Sequence, residues 1–259
     1  METYSTDNVG KGTRAPWIHR LWIIELFGAQ ANAGFQIFIG RHMMGHAVQH
    51  NLLQEESFGS MPGKMATLAI VQKVLVMDQL RIERRTGGIF DCDTSGCYDR
   101  ILPPLASVYL QALGLHRSIG IFLVRLMFQA RQHVHTYHGV SRDNIITTKT
   151  KILHEIGQGN GGGLALWIVH LTIMFATILS VCTGFALTCI QRLSKVCTVC
   201  TGYVDDVTLG VSIPHAQPQT EYQVYHHIRR MGQLWEKLLY IRGGQLELTK
   251  YFWVTVSWT

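Results

Sequence analysis

Apolar residues recur at helical spacing early in the chain, at Leu21, Ile24, Leu26 and Phe27 and again at Phe35, Ile37 and Phe38, so residues 17–54 read as helices or mixed structure. The turn-rich run Phe58-Gly59-Ser60-Met61-Pro62-Gly63 breaks that pattern. From Ala66 to Glu83, apolar residues at Leu68, Val71, Leu75 and Val76 predict an amphipathic helix, which Thr86-Gly87-Gly88 ends. Ile89 to Asp93 predicts a short strand. Pro103 and Pro104 suit the first turn of a helix reaching about Leu113, and Ser118 to Ala130 predicts another. Residues 132–156 read as extended pieces and a loop. A glycine loop, Gly157 to Gly163, then feeds a long apolar helix. Two β-rich runs, Val196–Val204 and Val207–Ile213, flank Asp205-Asp206, which predicts a hairpin with two acids at its tip. Tyr222 to Tyr240 is helical in pattern, Gly243-Gly244 breaks it, and Leu246 to Trp258 is strand-like. Strands and helices mix without βαβ regularity and without an internal repeat, so the expected class is α+β.

One segment pulls away from a water-soluble reading. Gly161 to Ile190 contains no Asp, Glu, Lys or Arg. About 20 apolar residues can span a bilayer, and a helix buried inside a protein core is just as apolar all round. The rest of the composition is globular: of 259 residues 47% are hydrophobic and 15% charged, which excludes a disordered chain. The formal charge of +6 is a moderate basic excess, compatible with a surface that meets phosphates. Six cysteines are too few for a disulfide scaffold at this length. Cys197 and Cys200 form one CxxC, but no second pair supplies the four ligands of a structural zinc site. Met1 to Arg14 is polar rather than signal-like, so the expected setting is intracellular, nucleus or cytoplasm.

Three acids carry candidate chemistry. Asp93 ends the short strand, and Asp205 and Asp206 sit side by side at the hairpin tip. Adjacent carboxylates repel unless a cation neutralises them. Mg²⁺ takes carboxylate oxygens and keeps positions open for phosphates, and a pair of such ions can serve both the attacking and the leaving oxygen of a phosphoryl transfer. An isolated Asp-Asp is equally a polar turn, so the neighbouring residues decide.

Tyr203-Val204-Asp205-Asp206 resembles the YxDD signature of reverse transcriptases. Asp93-Thr94-Ser95-Gly96-Cys97-Tyr98-Asp99 resembles their first palm motif, Gly157-Gln158-Gly159-Asn160-Gly161 their glycine-glutamine motif, Gly244 through Lys250 the following glycine-lysine motif, and Phe58 through Lys64 a fingers motif that precedes the palm. The order is the family's own. The resemblance is to the reverse transcriptase domain of non-LTR-like eukaryotic retroelements, that is, to retrotransposon sequences.

That resemblance implies a right-hand polymerase palm, an antiparallel sheet with helices on one face, with partial fingers and no thumb. It implies a fingers-like segment at 1–88 and a palm at 89–259, with a fingers insertion at about 118–156 and an apolar helix at 162–190. It implies RNA-directed DNA synthesis: a primer 3′-hydroxyl attacks a deoxynucleoside triphosphate on an RNA template, with two Mg²⁺ ions, or Mn²⁺, at Asp93, Asp205 and Asp206. Tyr98 becomes the steric gate that excludes a ribose 2′-hydroxyl, and its bland alternative is a core aromatic. Gln158 and Gly159 let backbone approach the nascent pair, or simply form the start of a helix. Lys250 protonates the leaving pyrophosphate or holds phosphate, or is an exposed strand lysine. Lys64 contacts template or incoming phosphate, or is solvated.

Departures from the family pattern are Met61 and Trp22-Ile23 where the family has arginine (Arg and Arg-Ile), and Leu164 where it has proline. Losing arginine removes a cation that would face phosphates. The expectation is therefore a weak or fragmentary copy, ending at Thr259 just past the lysine motif. Two rivals remain: an inactive nucleic-acid-binding relic, and a membrane-associated protein with a span near 164–190.

Overall fold

The computed structural model describes residues 2–10, 21–59, 61–146, 148, 156–189, 194–213 and 221–257. Residues 17–20, Ser60, 151–155, Ile190 and Trp258, which belong to expected elements, lie outside the described residues.

In chain order the elements are β1 (Glu2–Gly10), β2 (Leu21–Phe27), α1 (Ala29–Phe35), a π-helical stretch (Gln36–Met43) that continues into α2 (Met44–Gln49), and α3 (Ala66–Ile82). Next come β3 (Gly87–Ser95), α4 (Pro103–Ala112), α5 (Arg117–Phe128), β4 (Arg131–Thr136), β5 (Gly139–Val140) and α6 (Gly163–Val181). The last part holds β6 (Phe185–Cys189), β7 (Ser194–Thr198), β8 (Cys200–Tyr203), β9 (Asp206–Ser212), α7 (Glu221–Ile241), β10 (Gln245–Leu246) and β11 (Phe252–Val256). Paired prolines open α4, where their missing N–H groups have no intrahelical partner to lose. The His116 ring accepts from the Ser118 N–H and caps α5.

The chain forms two compact units, each assembled from two stretches of sequence: 1–52 with 98–169, and 53–97 with 170–259. The first unit holds a four-stranded sheet of order β2-β1-β4-β5, in which β1 and β4 run parallel, together with the α4–α5 helix pair. The second holds an antiparallel sheet of order β10-β3-β9-β8, with β11 also pairing β3, and a separate β6–β7 ribbon.

The second unit positions the acids. Along β3, side chains alternate between two faces. Phe90 meets Gly232 of α7, and Phe175 of α6 stacks on Trp235 of α7 with ring centroids 5.8 Å apart. Ile89 faces the other way and packs with Val76 and Leu80 of α3 and Phe185. Helices therefore lie on both faces of this sheet, not on one. The reason is that β3 carries apolar residues at both parities, so each face needs cover.

Three further expectations change. In α3 the buried residues are Ala69, Val76 and Leu80, whereas Leu68, Val71 and Leu75 are 41%, 45% and 57% exposed. The run 196–204 is two strands, parted at Val199, one pairing β6 and the other β9. The apolar helix ends at Val181; the Cys182 N–H still bonds the Ile178 carbonyl (2.9 Å), and the chain then turns through Thr183-Gly184 into β6. At 19 residues α6 is long and apolar enough to cross a bilayer by length and composition, and 61% of its most apolar window is buried in protein. Leu171, Phe175 and Ile178 are fully enclosed.

Candidate active site

The second unit brings Asp93, Asp205, Asp206 and Lys250 together. β3 pairs β9 so that Asp93 lies opposite Asp206, and β8 pairs β9 so that Tyr203 lies opposite Asp206. Val204 and Asp205 form the intervening turn. The Thr94 N–H donates to the Asp205 carbonyl (3.2 Å), tying the turn to β3. Val204 sits at φ +58°, a left-handed conformation that a β-branched residue adopts only under strain.

The loop preceding α3 holds that strain in place. Ser57 bridges Gly202, the Phe58 N–H donates to the Gly202 carbonyl (2.7 Å), and the Gly202 N–H donates to the Glu56 carbonyl (2.9 Å). Gly59 then lies against the turn so closely that a Cβ would be 2.6 Å from the Val204 nitrogen. The Phe58-to-Lys64 motif is thus packed directly on the YVDD turn.

Asp93 is 8% exposed. Its Oδ2 accepts from Lys250 Nζ, while its buried Oδ1 has no partner among the described residues. Burial raises the Asp205 carboxyl above the ordinary range, and the charges of Asp93 and Asp206 push it the same way. Asp206 is raised by burial and then by Asp93, against the pull of Lys73 and Lys250. The hydrogen bond to Asp93 raises Lys250. Lys250 lies in the turn between β10 and β11 rather than in a strand, and its side chain is 56% exposed.

A second ion pair stands beside the first. Lys73 of α3 binds Asp91 Oδ1 at 3.0 Å, and Thr208 Oγ1 donates to the same oxygen. Asp91 precedes Asp93 by two residues on one strand and so shares its face; that spacing was the available signal for it. Nothing local in the sequence marks Lys73. Lys64 is turned onto its own loop, with Nζ donating to the Glu55 carbonyl and lying 5.2 Å from the centre of the Phe58 ring. Burial lowers its pKa, against the pull of Glu55 and Glu56. Met61 is half-buried, and the side chain of Trp22 lies outside the described residues.

The first unit carries the other expected residues. Tyr98 is half-buried; its carbonyl accepts from the Ile156 N–H (3.0 Å) and its ring lies 6.4 Å from Trp167. The glycine loop is built on Asn160, which sequence reasoning gave no role. Its side chain donates to the Ile156 carbonyl (3.0 Å) and accepts from the Gly162 N–H (2.9 Å), while Asn32 Oδ1 accepts from the Gly161 N–H (2.5 Å). Gly159 is exposed at φ +104°, and Gln158 beside it is half-buried.

Carboxylate oxygens are the donors a hard divalent cation takes, and the unpartnered Asp93 Oδ1 is one such donor. As the side chains stand, no three His, Cys, Asp or Glu groups among the described residues converge on one point. Lys250 provides the positive charge at Asp93. Cys197 is exposed and Cys200 buried.

No protein-family model matches the chain, and no curated protein matches it. Solved structures do. Apo telomerase from Candida tropicalis, truncated from its C-terminal domain, superposes with a TM-score of 0.55 at 9% identity over 88% of this chain and 41% of that one. Telomerase from Candida albicans, in complex with a TWJ fragment of telomeric RNA, superposes with a TM-score of 0.51 at 15% identity over 85% of this chain and 34% of that one. The chain therefore spans less than half the length of either neighbour. At such identities the likeness concerns architecture alone: this mixed helix-and-sheet fold is one that the two telomerase structures share.

Proposed function

We propose that the chain is a reverse transcriptase domain of a non-LTR-like retroelement, acting on deoxynucleoside triphosphates with an RNA template and a DNA or RNA primer. The observation that carries this reading is the pairing of Asp93 with the Asp205-Asp206 turn, where burial and neighbouring charge raise Asp205 and Asp206 and one Asp93 oxygen has no partner among the described residues. One neighbour of the same fold is a telomerase in complex with telomeric RNA, which supports a nucleic-acid partner.

In this reading Asp93, Asp205 and Asp206 would hold two Mg²⁺ ions, which when bound would stabilise charge on the attacking and leaving oxygens. The primer 3′-hydroxyl gives up its proton to solvent, its oxygen forms a bond to the α-phosphorus, and the bond from that phosphorus to the pyrophosphate oxygen breaks. Lys250, now paired with Asp93, swings to the leaving pyrophosphate and gives it a proton or a charge partner. Tyr98 selects the deoxyribose, and Gln158 with Gly159 offers backbone to the nascent pair. A second reading, a nucleic-acid-binding domain without catalysis, is favoured by Met61 in place of a phosphate-facing cation; among the described residues no three metal-ligating side chains converge.

Primer extension on an oligoriboadenylate template with a deoxythymidylate primer separates the two. Extension by the wild type that needs Mg²⁺ or Mn²⁺ and disappears in Asp93→Asn and Asp205→Asn establishes the polymerase. Full extension by either variant refutes the assignment of these acids. In an active chain, Tyr98→Ala should raise ribonucleotide incorporation relative to deoxynucleotide; an unchanged ratio makes Tyr98 a core aromatic.

A further inference from the structure

A groove of about 540 Å³ opens in the second unit between α7 and the end of α6. Cys182 forms part of one wall, Val211 and Met231 lie in its lining, and His227, Arg230 and Lys237 project from α7 along the other wall. Among the described residues no carboxylate lines it. His227, Arg230 and Lys237 are all exposed, and among the described residues no acid pairs with Arg230 or Lys237.

The spacing is that of a stripe. Positions 227, 230 and 237 fall on one side of a helix at intervals of three and seven residues. With a rise of about 1.5 Å per residue they extend over roughly 15 Å, long enough for several successive phosphates and too long for one small anion. The apolar lining between the cations suits the sugar and base that hang from each phosphate.

The groove is separate from the acids. Val211 lies five residues along β9 from Asp206, or roughly 17 Å at the usual strand rise. Its parity is opposite to that of Thr208, so it is on the α7 face of the sheet, while Thr208 and Asp91 share the other face.

We propose that this groove is a second nucleic-acid site, which holds the phosphate backbone of a single strand along α7 through Arg230, Lys237 and His227. The site rests on its own charge and shape, and it stands whether or not Asp93, Asp205 and Asp206 catalyse. Cations that face no acid attract phosphate and release its counterions, so binding here is steeply salt-dependent.

Cys182 makes the site testable at one atom, since it lies in the groove and is half-exposed, whereas Cys197 is exposed and outside the lining. Burial raises the Cys182 thiol and the nearby Arg230 charge lowers it, so each variant is compared only with itself, with and without oligonucleotide. The full chain is titrated with a fluorescein-labelled oligouridylate 15-mer, followed by anisotropy across a salt series. N-ethylmaleimide labelling of Cys182 is then timed against that of Cys197 by peptide mass spectrometry. Saturating oligouridylate should slow labelling of Cys182 severalfold and leave Cys197 unchanged. Arg230→Gln with Lys237→Gln should abolish that protection, weaken binding about tenfold and flatten the salt slope by about 1.4. Asp205→Asn with Asp206→Asn should leave the protection intact. Unchanged Cys182 labelling at saturating oligonucleotide overturns the proposal, as does failure of the oligonucleotide to bind at all. Stronger protection by a hexaglutamate peptide than by oligouridylate also overturns it, in favour of an acidic protein partner.

Discussion

Gly59 is where the acid-bearing turn meets its support, and only a residue without a side chain fits there. A methyl group would be 2.6 Å from the Val204 nitrogen and 2.9 Å from its Cγ2, against backbone that is already at positive φ. Gly59→Ala should therefore cost about 1–3 kcal/mol, the usual range for overpacking, read as a lower urea midpoint at unchanged slope. Charge at the tip gives a second prediction. Asp205 and Asp206 are raised, so the folded chain favours their neutral forms. Their contribution to stability is full below the unfolded value of 3.8 and is lost as pH rises through the folded value. Asp205→Asn should stabilise the metal-free chain at pH 7 and make little difference at pH 3, as measured by thermal midpoints at both. Added Mg²⁺ should raise the midpoint of the wild type at pH 7 and not that of the variant. Asp93 was expected at a strand end, though β3 runs on to Ser95, and the hairpin of Asp205 and Asp206 was legible in sequence because its two β-rich runs and their turn are local pattern. Lys73 and Asp91 were not, because an ion pair between a helix and a strand depends on how the two dock.

The same limit governs whole elements. The hairpin, α4, α5 and α7 follow from periodicity and turn residues alone. Helix α3 was found, but its buried side was misjudged. Its apolar residues run nearly all round, and the orientation is fixed by polar contacts: Gln72 donates to Thr198 Oγ1 (3.3 Å) and accepts from Thr201 (3.2 Å), and Lys73 reaches Asp91. Those contacts bring Ala69, Val76 and Leu80 to the sheet and leave Leu75 in water. Leu80→Ala should cost about 2–5 kcal/mol, whereas Leu75→Ala should stay within about 0.5 kcal/mol of wild type; chemical denaturation of the two variants decides. The break at Val199 was likewise hidden, since β7 and β8 form one continuous β-prone run and differ only in which strand each pairs. The polar start of the chain gave no alternation from which β1 could be read.

At the scale of the whole molecule, composition and the order of elements were enough for the α+β class. The two compact units were not legible in either, because each is made of two stretches distant in sequence. The most central pairing of the second unit, β3 with β9, joins residues roughly 120 positions apart. During synthesis on a ribosome, β3 therefore waits without its partner while everything up to Ser212 is made. Helix α6, the most apolar stretch in the chain, leaves the exit tunnel inside that interval, before β9 exists to complete the sheet it packs on. Nascent chains of this protein should thus carry an unburied 19-residue apolar helix and be strong clients for chaperones. A product released after Thr198 should sediment with aggregates when the full-length chain stays in the supernatant. Equal solubility of the two would mean that α6 finds cover without β8 and β9.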